Sequence, residues 1–243
     1  MVPLKDDNPI STTPIVVYGL LALNIAVFFH EMTLSEAALQ QFFNTWAIVP
    51  AELTSSFAGG AVSPSGGWLN GAEGEWLTLI SSQFLHGGFL HLGGNMLYLW
   101  VFGNNIEDQL GHFKFLVFYL ACGALAGLSQ WFFDPASMVP TLGASGAIAG
   151  IMGAYIIRFP RAKIVTLIPI FLFFTTFRIP AIFFLGWWFV QQALYSFMSL
   201  GATADVGSSG GVAYWAHAAG FVFGVVLGPL LGLFAKGGDQ YRW

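Results

Sequence analysis

The stretch "GASGAIAG", Gly143–Gly150, decides how this chain is read. It sets one serine among glycines and alanines inside an otherwise oily sequence. A serine in a close-packed membrane helix is ordinarily a small residue that lets helices touch. Whether Ser145 is more than that depends on which other polar groups share its depth.

The surroundings are those of a membrane. Of 243 residues, 56% are hydrophobic and 8% charged, with a mean hydropathy of +0.70. A soluble domain of this length carries far more charge, so the composition predicts an all-α polytopic membrane protein forming a single domain over 1–243. The one cysteine, Cys122, can form no intrachain disulfide and reads as a small core residue. The N-terminal "MVPLKDDNPISTTP" lacks the basic region and cleavage site of a signal peptide, so the first apolar run is expected to be retained.

A helix needs ~20 mostly apolar residues to cross ~30 Å of hydrocarbon. Six runs qualify: 14–29, 91–102, 115–133, the short 145–157, 180–198 and 213–234. A further apolar stretch, 164–179, is interrupted by Pro169 and closed by Arg178, which predicts an interfacial or re-entrant segment. The basic residues give the direction. Lys5, Lys114, Arg158, Arg161, Lys163, Arg178, Lys236 and Arg242 all fall before span 1, in alternate loops, or after span 6. The other loops carry only acids, from Glu31 to Asp205. Six spans with both termini cytoplasmic account for this division. The long first outer loop, about 30–88, has apolar stretches and Trp46, Trp68 and Trp76, which suit a partly interfacial segment.

With this topology Ser145 sits at the outer end of span 4. His217 lies one turn into span 6, and His91 and Asn95 occupy the outer turns of span 2. Polar groups in hydrocarbon are costly unless partnered, so four from three segments at one depth mark a candidate site. Span 6 carries Gly220, Gly224, Gly228 and Gly232, and span 4 carries Gly146 and Gly150. Small residues at every fourth position let two backbones approach closely. His217 is three residues before Gly220 and therefore shares that face.

The chemistry that fits is a serine–histidine dyad. His217 as general base would take the Ser145 proton, and free N–H groups at a helix start would favour a developing oxyanion. His91 and Asn95, four apart on one helical face, can donate to the same oxyanion. Each residue also has a plainer role: Ser145 as packing, and Asn95 as an interhelical hydrogen bond of about 0.6 kcal/mol. A metal set of His86, His91 and His217 lacks a completing carboxylate, and neither metal nor cofactor is expected.

At these residues the chain resembles the rhomboid intramembrane serine proteases. "GASG" resembles that family's nucleophile motif and "AHAAGFVFG" its histidine-bearing sixth span. "HGGFLHLGGNMLYLWVFGNNIEDQLG" is similar to its second-span block. The resemblance covers about 76–234. It implies Ser145 as nucleophile, His217 as base, His91, Asn95 and the Ser145 N–H as the oxyanion hole, and Glu107 as a structural carboxylate. Two departures stand out: Trp76 is followed by Leu77 where many members have arginine, and Ala149 stands where some have a ring stacked on the histidine. Tyr214, Trp215 or Tyr155 is then expected to orient His217.

The resemblance further implies cleavage of single-pass transmembrane proteins near the outer end of their helix. The expected partners are membrane protein substrates and lipid, not nucleic acid, and the expected place is a bacterial plasma membrane. The competing readings are an inactive client-binding relative and a small transporter or channel. Bulky span 5 and the loop after it, 199–211, are expected to gate substrate entry.

Overall fold

The computed structural model describes residues 1–57, 72–170, 173–199 and 213–235. In chain order these form β1 (Val2–Asp6), α1 (Ile15–Glu31), α2 (Glu36–Trp46), α3 (Pro50–Phe57) and α4 (Ala72–Ser81). A 3-10 turn (Ser82–Phe84) leads to α5 (Phe89–Tyr98), a π-helical turn (Leu99–Gly103) and α6 (Asn104–Leu110). Then come α7 (His112–Phe133), α8 (Ser145–Arg158), β2 (Lys163–Ile170), β3 (Phe173–Pro180), α9 (Ala181–Ser199) and α10 (Tyr214–Leu231). Among the described residues, α7, α9 and α10 are long and apolar enough to cross a membrane, and α1 and α8 are shorter apolar helices. Residues 89–110 form one helical run through the π turn. Expectations resting on Trp68, Asp205, Lys236, Arg242 and the loop 200–212 lie outside the described residues.

α8 is the axis of the bundle, with every residue from Gly146 to Ile156 buried. Lipid is as apolar as leucine, so such packing relies on close contact and dispersion rather than on escape from water. The glycines permit it. A Cβ built on Gly220 would run into the Gly146 carbonyl, and one on Gly224 into the Gly150 carbonyl. On the other side of α8, a Cβ at Gly150 would lie 2.6 Å from the Cys122 side chain of α7. Gly232 departs from the expected glycine face: it is the left-handed C-cap of α10 at φ 100°.

α1 has no acidic residue in its first turn and no side-chain cap of its own. Glu107, buried on α6, supplies one by accepting the Val16 and Val17 N–H groups at 2.9 and 2.8 Å, and it lies 2.5 Å from His112 Nδ1. Beside it, Asp108 accepts Ser11 Oγ–H at 2.8 Å and Thr12 N–H at 2.9 Å. Two buried carboxylates are thus satisfied by a helix start and its leading loop.

The all-α expectation needs correction. Within the stretch expected to be interfacial or re-entrant, β2 and β3 pair antiparallel and recruit the N-terminal residues into a three-stranded sheet ordered β1-β2-β3. Val165, Thr166, Thr175 and Thr176 are β-branched, and Pro169 denies the stretch a helix. Burial alternates at the root of β2, where Ile164 and Thr166 are inaccessible and Val165 is not. The sheet packs at the end of the bundle opposite Ser145, where Tyr155 donates to Asp6 Oδ2. Burial holds the Asp6 carboxyl up at about 6 in spite of that hydrogen bond.

The described parts of the first long connection are largely helical and carry aromatic contacts. Ile48 and Thr141 exchange both backbone hydrogen bonds, and Ile48, Leu53 and Leu79 form a small second core. Phe57 meets Trp76 edge-on at 4.8 Å and stacks on Trp131 at 5.0 Å. These contacts hold the segment at Trp76-Leu77, the point of departure from the arginine of the resembled family.

Candidate active site

Ser145 opens α8, and His217 lies in the first turn of α10. The glycine contact between these helices sets their register, and it brings Ser145 Oγ to 2.7 Å from His217 Nε2. The opposite ring nitrogen, Nδ1, lies 2.9 Å from Gln192 Oε1 on α9. An amide oxygen can only accept, so Nδ1 carries the proton and Nε2 presents its lone pair to the serine hydroxyl. That is the tautomer a general base requires.

Gln192 replaces the orienting groups expected from sequence. Tyr155 is engaged with Asp6 at the far end, Trp215 stacks on Phe133 at 3.6 Å, and Tyr214 packs on Tyr195. The ring beside the histidine is Trp188, 6.0 Å away and tilted by 36°. Ala149 leaves no place for a ring, since a Cβ on Gly220 would lie only 3.3 Å from its own. A signal for Gln192 existed: Gln191 and Gln192 are the only amides in an apolar helix, and such groups need partners.

His91 and Asn95 share one face of α5, as their spacing required. Gly87 N–H approaches His91 Nδ1 at 3.4 Å, which leaves His91 Nε2 as the donor. A Cβ at Gly143 would lie 2.6 Å from that Nε2 and 3.6 Å from Asn95 Nδ2. Two donors therefore converge on space that exists because residue 143 has no side chain. Its backbone at φ +118° also favours glycine, and its N–H is fixed by Ser82 O at 2.8 Å. Asn95 is buried and its Nδ2 has no hydrogen-bond partner, as befits a donor held for a group yet to arrive.

Ser145, His217, His91 and Asn95 all face one cavity of about 670 Å³, lined further by Leu90, Tyr98, Thr141, Met152 and Trp188. Its walls come from α5, α8 and the start of α10, with Trp188 of α9 closing one side. Phe183 and Trp187 of α9 point outward, 68% and 52% exposed, whereas Phe184 is buried toward Phe102. His86 supports the cavity wall, its ring 5.1 Å from that of His91. Burial, then the neighbouring His91, lowers its pKa to about 4, so it is neutral. Among the described residues no cluster of three His, Cys, Asp or Glu is placed to hold a metal.

Residues 73–234 match the Rhomboid domain, and the chain belongs to the rhomboid family. It is therefore a membrane protein. Among its relatives is "Rhomboid protein 1, mitochondrial" of Saccharomyces cerevisiae, 34% identical over 157 residues, which are 63% of this chain and 41% of that protein. "Rhomboid protease GluP" of Bacillus subtilis is 42% identical over 83 residues, 34% of this chain and 16% of that one. "Putative rhomboid protease YdcA", also of Bacillus subtilis, is 38% identical over 85 residues, 35% of this chain and 42% of that one. In each case the match spans less than half of the relative's length.

Proposed function

We propose that this chain is an intramembrane serine endopeptidase that cleaves single-pass membrane proteins near the outer end of their helix. The observation that carries the reading is the 2.7 Å contact between Ser145 Oγ and His217 Nε2. It faces the same cavity as two oxyanion donors. An inactive client-binding relative would have no use for that alignment. In a transporter or channel the polar groups would continue along a path rather than gather at one end.

In this reading Ser145 Oγ attacks the scissile carbonyl carbon while its proton passes to His217 Nε2. Gln192 steadies the imidazolium through Nδ1–H. The oxyanion takes hydrogen bonds from His91, Asn95 and the Ser145 N–H at the start of α8. The carbon–nitrogen bond breaks as His217 returns the proton to the leaving amine. Water, activated by the same histidine, then releases the acyl group from Ser145. A helical peptide carbonyl is hydrogen-bonded and shielded, so substrates carrying Gly, Pro or polar residues near the cut are favoured.

Six spans with both termini cytoplasmic, in a bacterial plasma membrane, complete the proposal. Cysteine at Asp205 or Ser63, in a Cys122→Ser background, should react with an impermeant thiol reagent from outside intact cells, and cysteine at Arg161 or Gln240 should not. For the chemistry, a fluorophosphonate should label the wild-type protein and fail to label Ser145→Ala. Equal labelling of both would remove Ser145 as nucleophile.

A further inference from the structure

The β2–β3 hairpin has a design that the chemistry at Ser145 does not require. No charged residue occurs between Lys163 and Arg178, and the buried residues of β2 lie near its root. Ile164 and Thr166 are inaccessible, whereas Phe173 and Phe174 are 78% and 73% exposed and Phe177 is 46% exposed. The register sets Phe174 opposite Pro169 on one face, while Phe173 and Phe177, at the other parity, fall on the opposite face, so apolar groups occupy both faces of the hairpin. In water this would be an uncovered apolar patch.

Two features say what covers it. First, the patch continues a membrane helix. β3 ends at Pro180 and α9 begins at Ala181 with no linker. The Ala181 and Ile182 N–H groups are held by Ala162 O at 2.8 Å and Pro160 O at 3.0 Å. The exposed phenylalanines therefore extend the apolar surface that begins at Ile182, Phe183 and Trp187. Second, the charge is confined to the root, where Arg161 and Lys163 are exposed and Arg178 pairs with Asp7 at 3.2 Å. An apolar tip on a cationic root is the layout of an element lying in a lipid interface.

We propose that the hairpin is a lipid-seated anchor. Phe173, Phe174 and Phe177 lie at the boundary of headgroups and acyl chains, and Arg161 and Lys163 meet anionic headgroups. Because β1 of the same sheet is tied to the end of α6, through Asn105 Nδ2 on Asn8 O at 3.0 Å and through Asp108 on Ser11 and Thr12, the anchor joins two helices. It ties the helical run 89–110 to the start of α9 at the end of the bundle remote from Ser145. The proposal rests on the bundle spanning a bilayer, not on proteolysis, so it can fail while the protease reading stands.

The test uses the full chain in a Cys122→Ser background with a single cysteine at Phe174 or, separately, at Phe177. Each carries an environment-sensitive fluorophore and is reconstituted in vesicles of phosphatidylcholine and phosphatidylglycerol. Circular dichroism and elution volume check that each variant is folded. Blue-shifted emission, quenched several-fold more by nitroxide placed high on the lipid acyl chains than by aqueous iodide, is the expected result. Water-like emission quenched by iodide would overturn the anchor. So would emission that is blue-shifted only at high protein-to-lipid ratio and insensitive to lipid nitroxide, since a second copy would then be the occupant.

Discussion

Gln192 Oε1 and His217 Nδ1 lie 2.9 Å apart, and through this contact α9 reaches into the dyad that α8 and α10 form. A helix at the edge of the cavity thus determines which histidine nitrogen faces Ser145. Replacing Gln192 with Leu keeps the volume and removes the acceptor. Positioned general bases contribute ~10²–10⁴-fold to rate, and losing the orienting partner should forfeit roughly the first tenfold of that. Steady-state cleavage should show the loss in kcat with KM little changed. Gln192→Glu, which restores an acceptor, should recover a large part of it. A change confined to KM would reduce Gln192 to a packing role.

Gly143 is the narrowest constraint on the proposed oxyanion hole. Gly143→Ala introduces a methyl 2.6 Å from His91 Nε2 at a φ of +118°. Removing one oxyanion donor costs ~10²–10³ in kcat in a serine hydrolase, and under the proposed function cleavage should fall by about that factor. Gly93→Ala, on the same α5 helix with nothing within 4 Å of the added Cβ, should leave the rate within about twofold. Parity of the two variants would separate Gly143 from the chemistry.

The α8–α10 contact makes a stability prediction. Gly224→Ala drives a methyl into the Gly150 carbonyl, and overpacking of this kind costs about 1–3 kcal/mol. Gly186→Ala on α9 meets nothing within 4 Å and should be neutral or stabilising by up to ~1 kcal/mol through helix propensity. Unfolding midpoints in detergent would rank Gly224→Ala lowest, wild type next and Gly186→Ala at or above it.

These contrasts show what was legible in the sequence and what was not. The helical segments, the glycine contact and the convergence of Ser145, His217, His91 and Asn95 on one cavity could be read because each rests on spacing along helices. Gln192 could not be placed that way. Its role depends on how α9 turns against α10, which local periodicity does not report, although an amide pair in an apolar helix was a warning. The sheet was missed for a related reason. β2 and β3 are local, but β1 is supplied from more than 150 residues away, and an apolar stretch does not show in sequence that a distant segment pairs with it. Glu107 was legible as structural only through the resemblance. That it caps α1 follows from tertiary packing.

The sheet's attachment should respond to pH. Burial raises the Asp6 pKa from its ordinary 3.8 to about 6. A raised acid favours the folded state when protonated, so this contribution is complete below about 4 and is lost as pH rises through about 6. Acidification from pH 7 to pH 5 should therefore slow proteolytic nicking in residues 1–12. Asp6→Asn, which keeps an acceptor for Tyr155 without the charge, should be resistant at both pH values. Faster nicking of the wild type at pH 5 would contradict this.

The most direct test is incubation of purified, reconstituted protein with a panel of end-labelled single-pass membrane substrates, alongside Ser145→Ala and His217→Ala of verified fold. Wild type should cut at least one substrate near the outer end of its membrane helix, and both variants should release no product. Cleavage by Ser145→Ala at the wild-type rate, in preparations free of other proteases, would contradict this.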